Sequence, residues 1–207
     1  PHLSKGKMLG YLNDLIKQFA IKAPDVKAEI STLSGGNMQK LLMGRELISN
    51  PEVIVAAQPT RGLDVSAVEA IHNLGILFMQ LTYNNQSLLA TGCYEKIDSG
   101  VTRMGKEVIK EMNRLGIVID MSHSAEKSTI DAINLSSKPI AITHANPSFW
   151  FNSKRNKSNV VLKALAESGG MIGHSLYPHH LKDKSNCTLK SFCEMIAKTA
   201  DLIGVKH

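Results

Sequence analysis

The sequence predicts an α/β protein, with about half of a (βα)8 barrel or a small open parallel sheet in its larger part. Between residues 77 and 202, four continuous apolar segments alternate with amphipathic helical segments. Strands made of unbroken apolar runs are buried on both faces, which is typical of a parallel sheet covered by helices. Four such units in succession therefore predict about four βα units.

The elements of this larger part follow one another in regular order. Strands are predicted at residues 77–83, 117–123, 139–144 and 170–177. Helices are predicted at residues 105–115, 125–135, 159–168 and 189–202. A polar loop that reaches Gly100 separates the first strand from its helix.

The first third of the chain has another order: helix, turn, helix, strand, helix. Helices are predicted at residues 9–19, at 34–48 and from 65 onward, with a short buried strand at residues 53–57. The first helix rests on apolar residues at helical spacing and ends before Pro24. Ser34 is the expected N-cap of the second helix, and Pro51 follows its end.

Composition restricts the classes of protein that this chain can belong to. A length of 207 residues with 43% hydrophobic content indicates one or two globular domains. The net charge of +6 is spread along the chain, and only 5% of residues are aromatic, so we expect no nucleic-acid partner. The longest apolar runs are far shorter than the roughly 20 residues of a membrane helix, which predicts no membrane span.

Three scattered cysteines and the first residues bear on the compartment. An odd number of cysteines at irregular spacing does not form a disulfide framework, so a reducing, cytoplasmic location is expected. The chain starts at Pro1 and shows no signal peptide, which indicates a fragment.

The segment LSGGNMQK, residues 33–40, has the features of a phosphate contact. Its glycines allow close approach of the backbone, and the free N–H groups at the start of a helix point at an anion. Such a turn works beside a Gly-rich loop ending in Gly-Lys-Ser/Thr, and this pattern is absent from the sequence. The segment therefore has the features of half of a nucleotide site, and the alternative is a helix cap without a ligand.

Residues 33–40 and 59–64 (PTRGLD) resemble the ATPase subunit of an ABC transporter, most of all the second nucleotide domain of sugar and nucleoside importers. The resemblance covers about residues 23–72. It implies nucleotide-binding roles for Ser34, Gly35, Gly36 and Gln39, toward ATP held by an opposing domain. ATP binding would thus require a partner domain, and the residues Gly62-Leu63-Asp64 would contact an ABC partner subunit.

This segment departs from the ABC pattern at the residues that perform the chemistry. Ala57 and Gln58 occupy the positions after the strand where the family has Asp-Glu. Alanine cannot orient Mg²⁺, and glutamine cannot take a proton from the attacking water. We therefore expect no ATP hydrolysis.

Two histidines indicate a second candidate site, in the larger part of the chain. His123 and His144 each follow an apolar strand and lie one βα unit apart. Carboxyl ends of neighbouring parallel strands meet at one edge of a sheet, where such folds build their sites. Two neutral imidazoles that converge there suit zinc, although a lone histidine after a strand is more often a hydrogen-bonded core or rim residue.

Several short sequence motifs around these histidines resemble those of the membrane (renal) dipeptidase family, over about residues 71–207. They are LTYNN at 81–85, the segment 105–116, DMSH at 120–123, THANP at 143–147 and RN at 155–156. The resemblance implies a zinc metallopeptidase with an amidohydrolase-like barrel and a dipeptide-like small substrate. It implies that His123 and His144 ligate the more buried zinc of a binuclear pair, that Arg155 clamps the substrate carboxylate, and that Tyr83 contacts the substrate.

The same resemblance implies that several metal-binding and catalytic residues of the family are missing from this sequence. The family's first strand supplies a His-x-Asp pair, a Glu just before the strand at 77–83 bridges both metals, and a late Asp would lie beyond His207. A catalytic zinc takes three protein ligands plus water, so we expect weak or partial zinc binding. His174, His179 and His180 are interpreted as solvent or rim residues rather than extra ligands.

The leading hypothesis is two unrelated fragments joined near residues 70–74: an ABC ATPase fragment at 1–72 and a partial dipeptidase barrel at 73–207. The expected function is that of a catalytically incomplete dipeptidase-family metallopeptidase. The alternatives are an ATP-binding subunit piece of a sugar or nucleoside importer, and a non-catalytic binding module.

Overall fold

The computed structural model describes residues 4–48, 65–73 and 75–207. Contacts divide the chain into two compact units, Pro1–Ile76 and Leu77–His207. The strand predicted at residues 53–57 and the turn that follows it lie outside the described residues.

The described part of the N-terminal unit is helical. It contains α1 (Lys5–Gln18), α2 (Gly35–Leu47) and α3 (Ser66–Asn73), with a short 3-10 turn at Ile30–Thr32. These confirm the three predicted helices. Leu15 of α1 and Val68 and Ile71 of α3 are buried, as the apolar spacing requires.

The C-terminal unit is a four-stranded parallel sheet in the order β1-β2-β3-β4. The strands are β1 (Phe78–Gln80), β2 (Val118–Asp120), β3 (Ala141–Ile142) and β4 (Met171–Ile172). The helices are α4 (Arg103–Leu115), α5 (Glu126–Leu135), α6 (Asn159–Glu167) and α7 (Leu189–Ile203). Short 3-10 turns lie at Pro178–His180 and Lys184–Asn186. The predicted succession of four βα units is confirmed.

The strands are much shorter than predicted, because the regular ladder ends where the site begins. In register, Met79 lies opposite Ile119, Asp120 opposite Ala141, and Ile142 opposite Ile172. The polar residues after these positions leave the ladder and bond to side chains of neighbouring loops instead. The apolar runs therefore mark buried backbone rather than the extent of each strand.

The core of this unit lies between the sheet and the helices that follow each strand. Fully buried apolar side chains come from both layers: Ile109 and Met112 of α4, Ile119 of β2, Ile142 of β3, and Leu162 and Leu165 of α6. Burial of each such side chain contributes about 1.5–3 kcal/mol. Among the described residues, no helix has the length and apolar character to cross a membrane.

Gly105 of α4 is required by a close approach between the helix and the loop before it. A Cβ at this position would lie 2.2 Å from the Leu89 carbonyl oxygen and 2.8 Å from Val101 Cγ1. We expect Gly105→Ala to lower the free energy of unfolding by about 1–3 kcal/mol, because overpacking outweighs the better helix propensity of alanine.

Urea unfolding followed by the fluorescence of Trp150, the only tryptophan, measures this effect in the C-terminal unit. Lys106→Ala is the matched control, because Lys106 is the next residue of α4 and is exposed. A Gly105→Ala chain as stable as wild type would contradict the prediction.

Candidate metal-binding site

His123 and His144 follow β2 and β3, and their rings meet at the carboxyl edge of the sheet. The two Nε2 atoms are 2.8 Å apart, and the ring centroids are 4.9 Å apart. The structure thus brings together the two histidines that the sequence places after neighbouring strands. Their role as metal ligands stays a prediction.

Asp120 at the end of β2 organises the strand ends around these rings. Its carboxylate accepts hydrogen bonds from Gln80 Nε2 of β1 at 2.9 Å and from the backbone N–H of Ser122 at 3.0 Å. It also accepts from the backbone N–H of Thr143 at 3.1 Å and from Thr143 Oγ1 at 2.6 Å. Burial raises the pKa of Asp120, but these hydrogen bonds outweigh it, so the pKa is lowered overall. The structure thus engages this carboxylate with donors from three strand ends.

The hydrogen bonds around the rings assign their protons. His123 Nδ1 lies 2.7 Å from Asn84 Oδ1, an oxygen that can only accept, so Nδ1 carries the proton. The Thr143 hydroxyl donates to Asp120, so its oxygen accepts from His144 Nδ1 at 2.8 Å. Both Nε2 atoms are then bare lone pairs that face each other, an arrangement that suits a shared proton or a metal ion.

Both imidazoles are neutral at neutral pH. Burial is the main cause that lowers the pKa of His123, to about 3, and the charge of Arg155 lowers it further. Burial likewise lowers the pKa of His144. Neutral imidazole is the form that ligates metal ions.

The residues present fit a zinc ion in part. Two nitrogens bound to one tetrahedral zinc lie about 3.3 Å apart, given Zn–N bonds of about 2.0–2.1 Å. The rings would have to separate by about half an ångström from their present 2.8 Å. Across the described ranges, no group of three or more His, Cys, Asp or Glu side chains could hold a metal ion. The pair therefore supplies two ligands, fewer than a catalytic site uses.

Tyr83 and Arg155 both lie against the histidines. The Tyr83 ring stacks on the His123 ring, with centroids 3.9 Å apart and planes 24° apart, and is 43% exposed. Arg155 is 2% exposed, and its guanidinium donates to the backbone carbonyls of Ser122 and of His144, the latter at 3.1 Å. Their predicted substrate contacts stay predictions.

Asn84 is a site residue that the sequence did not single out. It lies in the loop after β1 with φ of 61°, and a Cβ on Gly92 would approach its backbone to 2.2 Å. Only glycine at position 92 allows this close approach, which places Asn84 beside His123. The LTYNN word at 81–85 contained Asn84, but the hydrogen bond spans 39 residues of sequence.

The interpretation of the three later histidines was wrong for His180. His179 is exposed, but His180 is only 7% exposed, and its Nδ1 lies 3.3 Å from Ser175 Oγ. Burial, then the charges of Arg155 and His144, lower the pKa of His180 to about 4. His174 is half-buried against Phe192, and its Nδ1 is a buried atom with no hydrogen-bond partner among the described residues.

Asn146 joins the loop after β3 to the loop that carries His180. It is fully buried, and its Nδ2 donates to the carbonyls of Ser175 at 2.8 Å and of His180 at 3.3 Å. Its Oδ1 accepts from the backbone N–H of Ser175 at 2.9 Å. The loop after β4 is thereby drawn against the loop after β3.

The predicted nucleotide residues lie at the start of α2. Ser34 is its N-cap, and Ser34 Oγ accepts from the Asn37 backbone N–H at 3.4 Å and from Asn37 Nδ2 at 2.8 Å. Gly35 and Gly36 form the first turn, and Gln39 lies in the helix with its side chain outside the described part. Their binding to ATP stays a prediction.

Residues 54–207 match the membrane dipeptidase family, peptidase family M19. The chain belongs to this family. Dipeptidase tcpJ of Claviceps purpurea is 27% identical over 149 residues, which are 70% of this chain and 35% of that protein. The chain thus spans about a third of the length of the curated dipeptidases that it matches.

Two solved structures share the fold. An amidohydrolase from Pseudomonas aeruginosa is 36% identical, with a TM-score of 0.66 over 68% of this chain and 43% of that one. A metallopeptidase from Rhodobacter sphaeroides, liganded with a phosphinate mimic of the dipeptide L-Ala-D-Ala, is 25% identical, with a TM-score of 0.62 over 67% and 42%. This membrane dipeptidase family chain therefore has the α/β fold with a parallel sheet of its relatives.

A further match concerns a shorter piece of the chain. The guanosine import ATP-binding protein NupO of Bacillus subtilis is 47% identical over 70 residues, which are 34% of this chain and 14% of that protein. The identity is high, but the share of NupO that is covered is small.

The Asp120 network leads to a prediction on pH and stability. Because folding lowers the pKa of Asp120, its stabilisation is full above the unfolded value of 3.8 and is lost as pH falls through the folded value. We expect Asp120→Asn to lower the free energy of unfolding by about 2 kcal/mol at pH 7, and by much less at a pH below both values.

Urea titrations at pH 7 and at a pH below both pKa values, followed by Trp150 fluorescence, measure how much Asp120→Asn lowers the free energy of unfolding. Asp201→Asn is the control, because Asp201 is an exposed carboxylate on α7. A difference between wild type and Asp120→Asn that is the same at both pH values would refute the assignment.

Proposed function

We propose that the C-terminal unit is part of a zinc-dependent dipeptidase, in which His123 and His144 ligate zinc. The observation that carries the proposal is the pair of bare Nε2 atoms 2.8 Å apart at the carboxyl edge of a parallel sheet. The hydrogen bonds of Asn84 and Thr143 to the other ring nitrogens favour the tautomers that ligation needs. Bound zinc would polarise a carbonyl and acidify water.

The proposal includes an incomplete site. Two imidazoles supply fewer than the three protein ligands of a catalytic zinc. The buried cations Arg155 and Lys157 lie nearby and disfavour a further positive charge. The chain is therefore expected to bind zinc weakly and to lack dipeptidase activity by itself.

The proposed substrate class is dipeptide-like. The Rhodobacter sphaeroides relative holds a mimic of a dipeptide, which supports the same class here. Arg155 has further N–H donors besides the two that bond to carbonyls, and these could meet a substrate carboxylate. Tyr83, exposed beside His123, would donate a hydrogen bond from its hydroxyl to the substrate. We also propose that the four βα units form part of a (βα)8 barrel, and that the protein is cytoplasmic.

We propose a second function for the N-terminal unit: half of an importer-type nucleotide site. The identity of 47% to NupO over 70 residues favours it. Ser34, Gly35 and Gly36 begin α2, where backbone N–H groups can meet a phosphate held by an ABC partner subunit. Such a fusion with a dipeptidase part agrees with the two compact units.

Isothermal titration with zinc tests the metal site. We expect weak binding in the wild type that the double variant His123→Ala/His144→Ala reduces at least about tenfold, because both ligands are lost. His179→Ala, an exposed histidine of the same unit, should bind as the wild type does. Equal affinity in the wild type and the double variant would show that the pair is not a site. Steady release of amino acids from a dipeptide would contradict the proposed incompleteness.

ATP hydrolysis tests the N-terminal unit. We expect no turnover by the purified chain, because Ala57 and Gln58 replace the acidic pair and the Gly-rich loop is missing. Turnover that Ser34→Arg abolishes would disprove this expectation.

A further inference from the structure

Lys157 is a buried cation that binds the two ends of the turn bearing His123. The lysine is 4% exposed, and its Nζ donates to the carbonyls of Met121 and Ser124, each at 2.8 Å. Within the described ranges, no carboxylate forms a salt bridge with it. Burial lowers the pKa of Lys157 to about 7, and the hydrogen bonds to two backbone carbonyls satisfy the enclosed amino group.

These two carbonyls belong to the first and last residues of a β-turn. The backbone N–H of Ser124 donates to the Met121 carbonyl at 3.2 Å, so the turn spans Met121 to Ser124 with His123 as its third residue. Lys157 therefore contacts the first and last residues of the turn at once. The His123 carbonyl between them accepts from the Cys93 backbone N–H at 2.9 Å.

Arg155, two residues before Lys157, completes this attachment. Its guanidinium donates to the carbonyl of Ser122 inside the turn and to that of His144 in the next loop. All four carbonyls of the turn thus accept hydrogen bonds from outside it. Residues 155–157 thus contact the backbone of both loops that carry the histidines. Lys157 itself donates its hydrogen bonds to carbonyls and not to the imidazole rings, and it is not one of the proposed zinc or substrate ligands.

We infer that Lys157 is a positioning residue that holds the His123 turn so that His123 Nε2 faces His144 Nε2. Its donors act on the backbone and not on the imidazoles, so the role concerns where His123 lies. The functional consequence rests on the proposed zinc site. The positional consequence applies to the metal-free chain and can be measured there.

The experiment compares Lys157→Met with Lys157→Arg in the full chain. Methionine keeps an unbranched side chain without donors, and arginine keeps a cation with several. In metal-free wild type, imidazole ¹⁵N shifts should show His123 protonated at Nδ1. We expect tautomer averaging in Lys157→Met, a zinc affinity lowered about 10–100-fold, and recovery of both in Lys157→Arg. Lys163→Met, an exposed lysine on α6, should match the wild type.

The result that overturns the inference is a Lys157→Met chain with wild-type ¹⁵N shifts and wild-type zinc affinity. If Lys157→Met does not fold, wild type decides: scalar couplings across hydrogen bonds should join Lys157 Nζ to the carbonyl carbons of Met121 and Ser124, and their absence overturns the inference. Failure of the proposed function looks different. In that case the wild type binds no zinc at His123 and His144, while the metal-free tautomer still reports on Lys157.

Discussion

The carboxylate of Asp120 is the group on which the order of the site depends. It accepts hydrogen bonds from Gln80 on β1, from Ser122 after β2 and from Thr143 after β3, and so joins three strand ends. Because it also accepts the hydrogen bond that the Thr143 hydroxyl donates, the Thr143 oxygen is left to accept from His144, which determines which nitrogen of His144 is protonated. A single buried charge thus aligns the backbone and prepares one imidazole for ligation.

The charges around the histidines have opposite effects on a metal ion. Burial and the cations Arg155 and Lys157 keep His123 and His144 neutral, which leaves their lone pairs available. The same cations repel a divalent ion, whereas the Asp120 carboxylate, hydrogen-bonded to Ser122 and Thr143, carries the opposite charge. This balance of charge supports the proposal that zinc binding is weak.

The two compact units differ in architecture. The sheet of the C-terminal unit carries a polar network at one edge, and its relatives are dipeptidases and an amidohydrolase. The described N-terminal unit is helical, and the chain is 47% identical to the guanosine import ATP-binding protein NupO over 70 residues. The proposed phosphate contact at the start of α2 would need only backbone N–H groups.

The sequence by itself determined the βα succession and the meeting of His123 and His144. Both follow from local patterns, because apolar periodicity specifies the elements and carboxyl ends of neighbouring parallel strands share one edge. It could not predict how far each ladder extends, since polar residues such as Thr143 leave the strand to bond with Asp120.

Three features were decided by the tertiary structure alone. They are the protonated nitrogens of His123 and His144, the position of the turn that carries His123, and the burial of His180. The tautomer of His123 depends on Asn84, 39 residues away, and the turn of His123 on Lys157, 33 residues from the Ser124 carbonyl that it binds. The carbonyl of the buried His180 accepts hydrogen bonds from Asn146 and Asn156, 34 and 24 residues away. These hydrogen bonds join loops that become neighbours only after the sheet forms, and no spacing within a single segment encodes them.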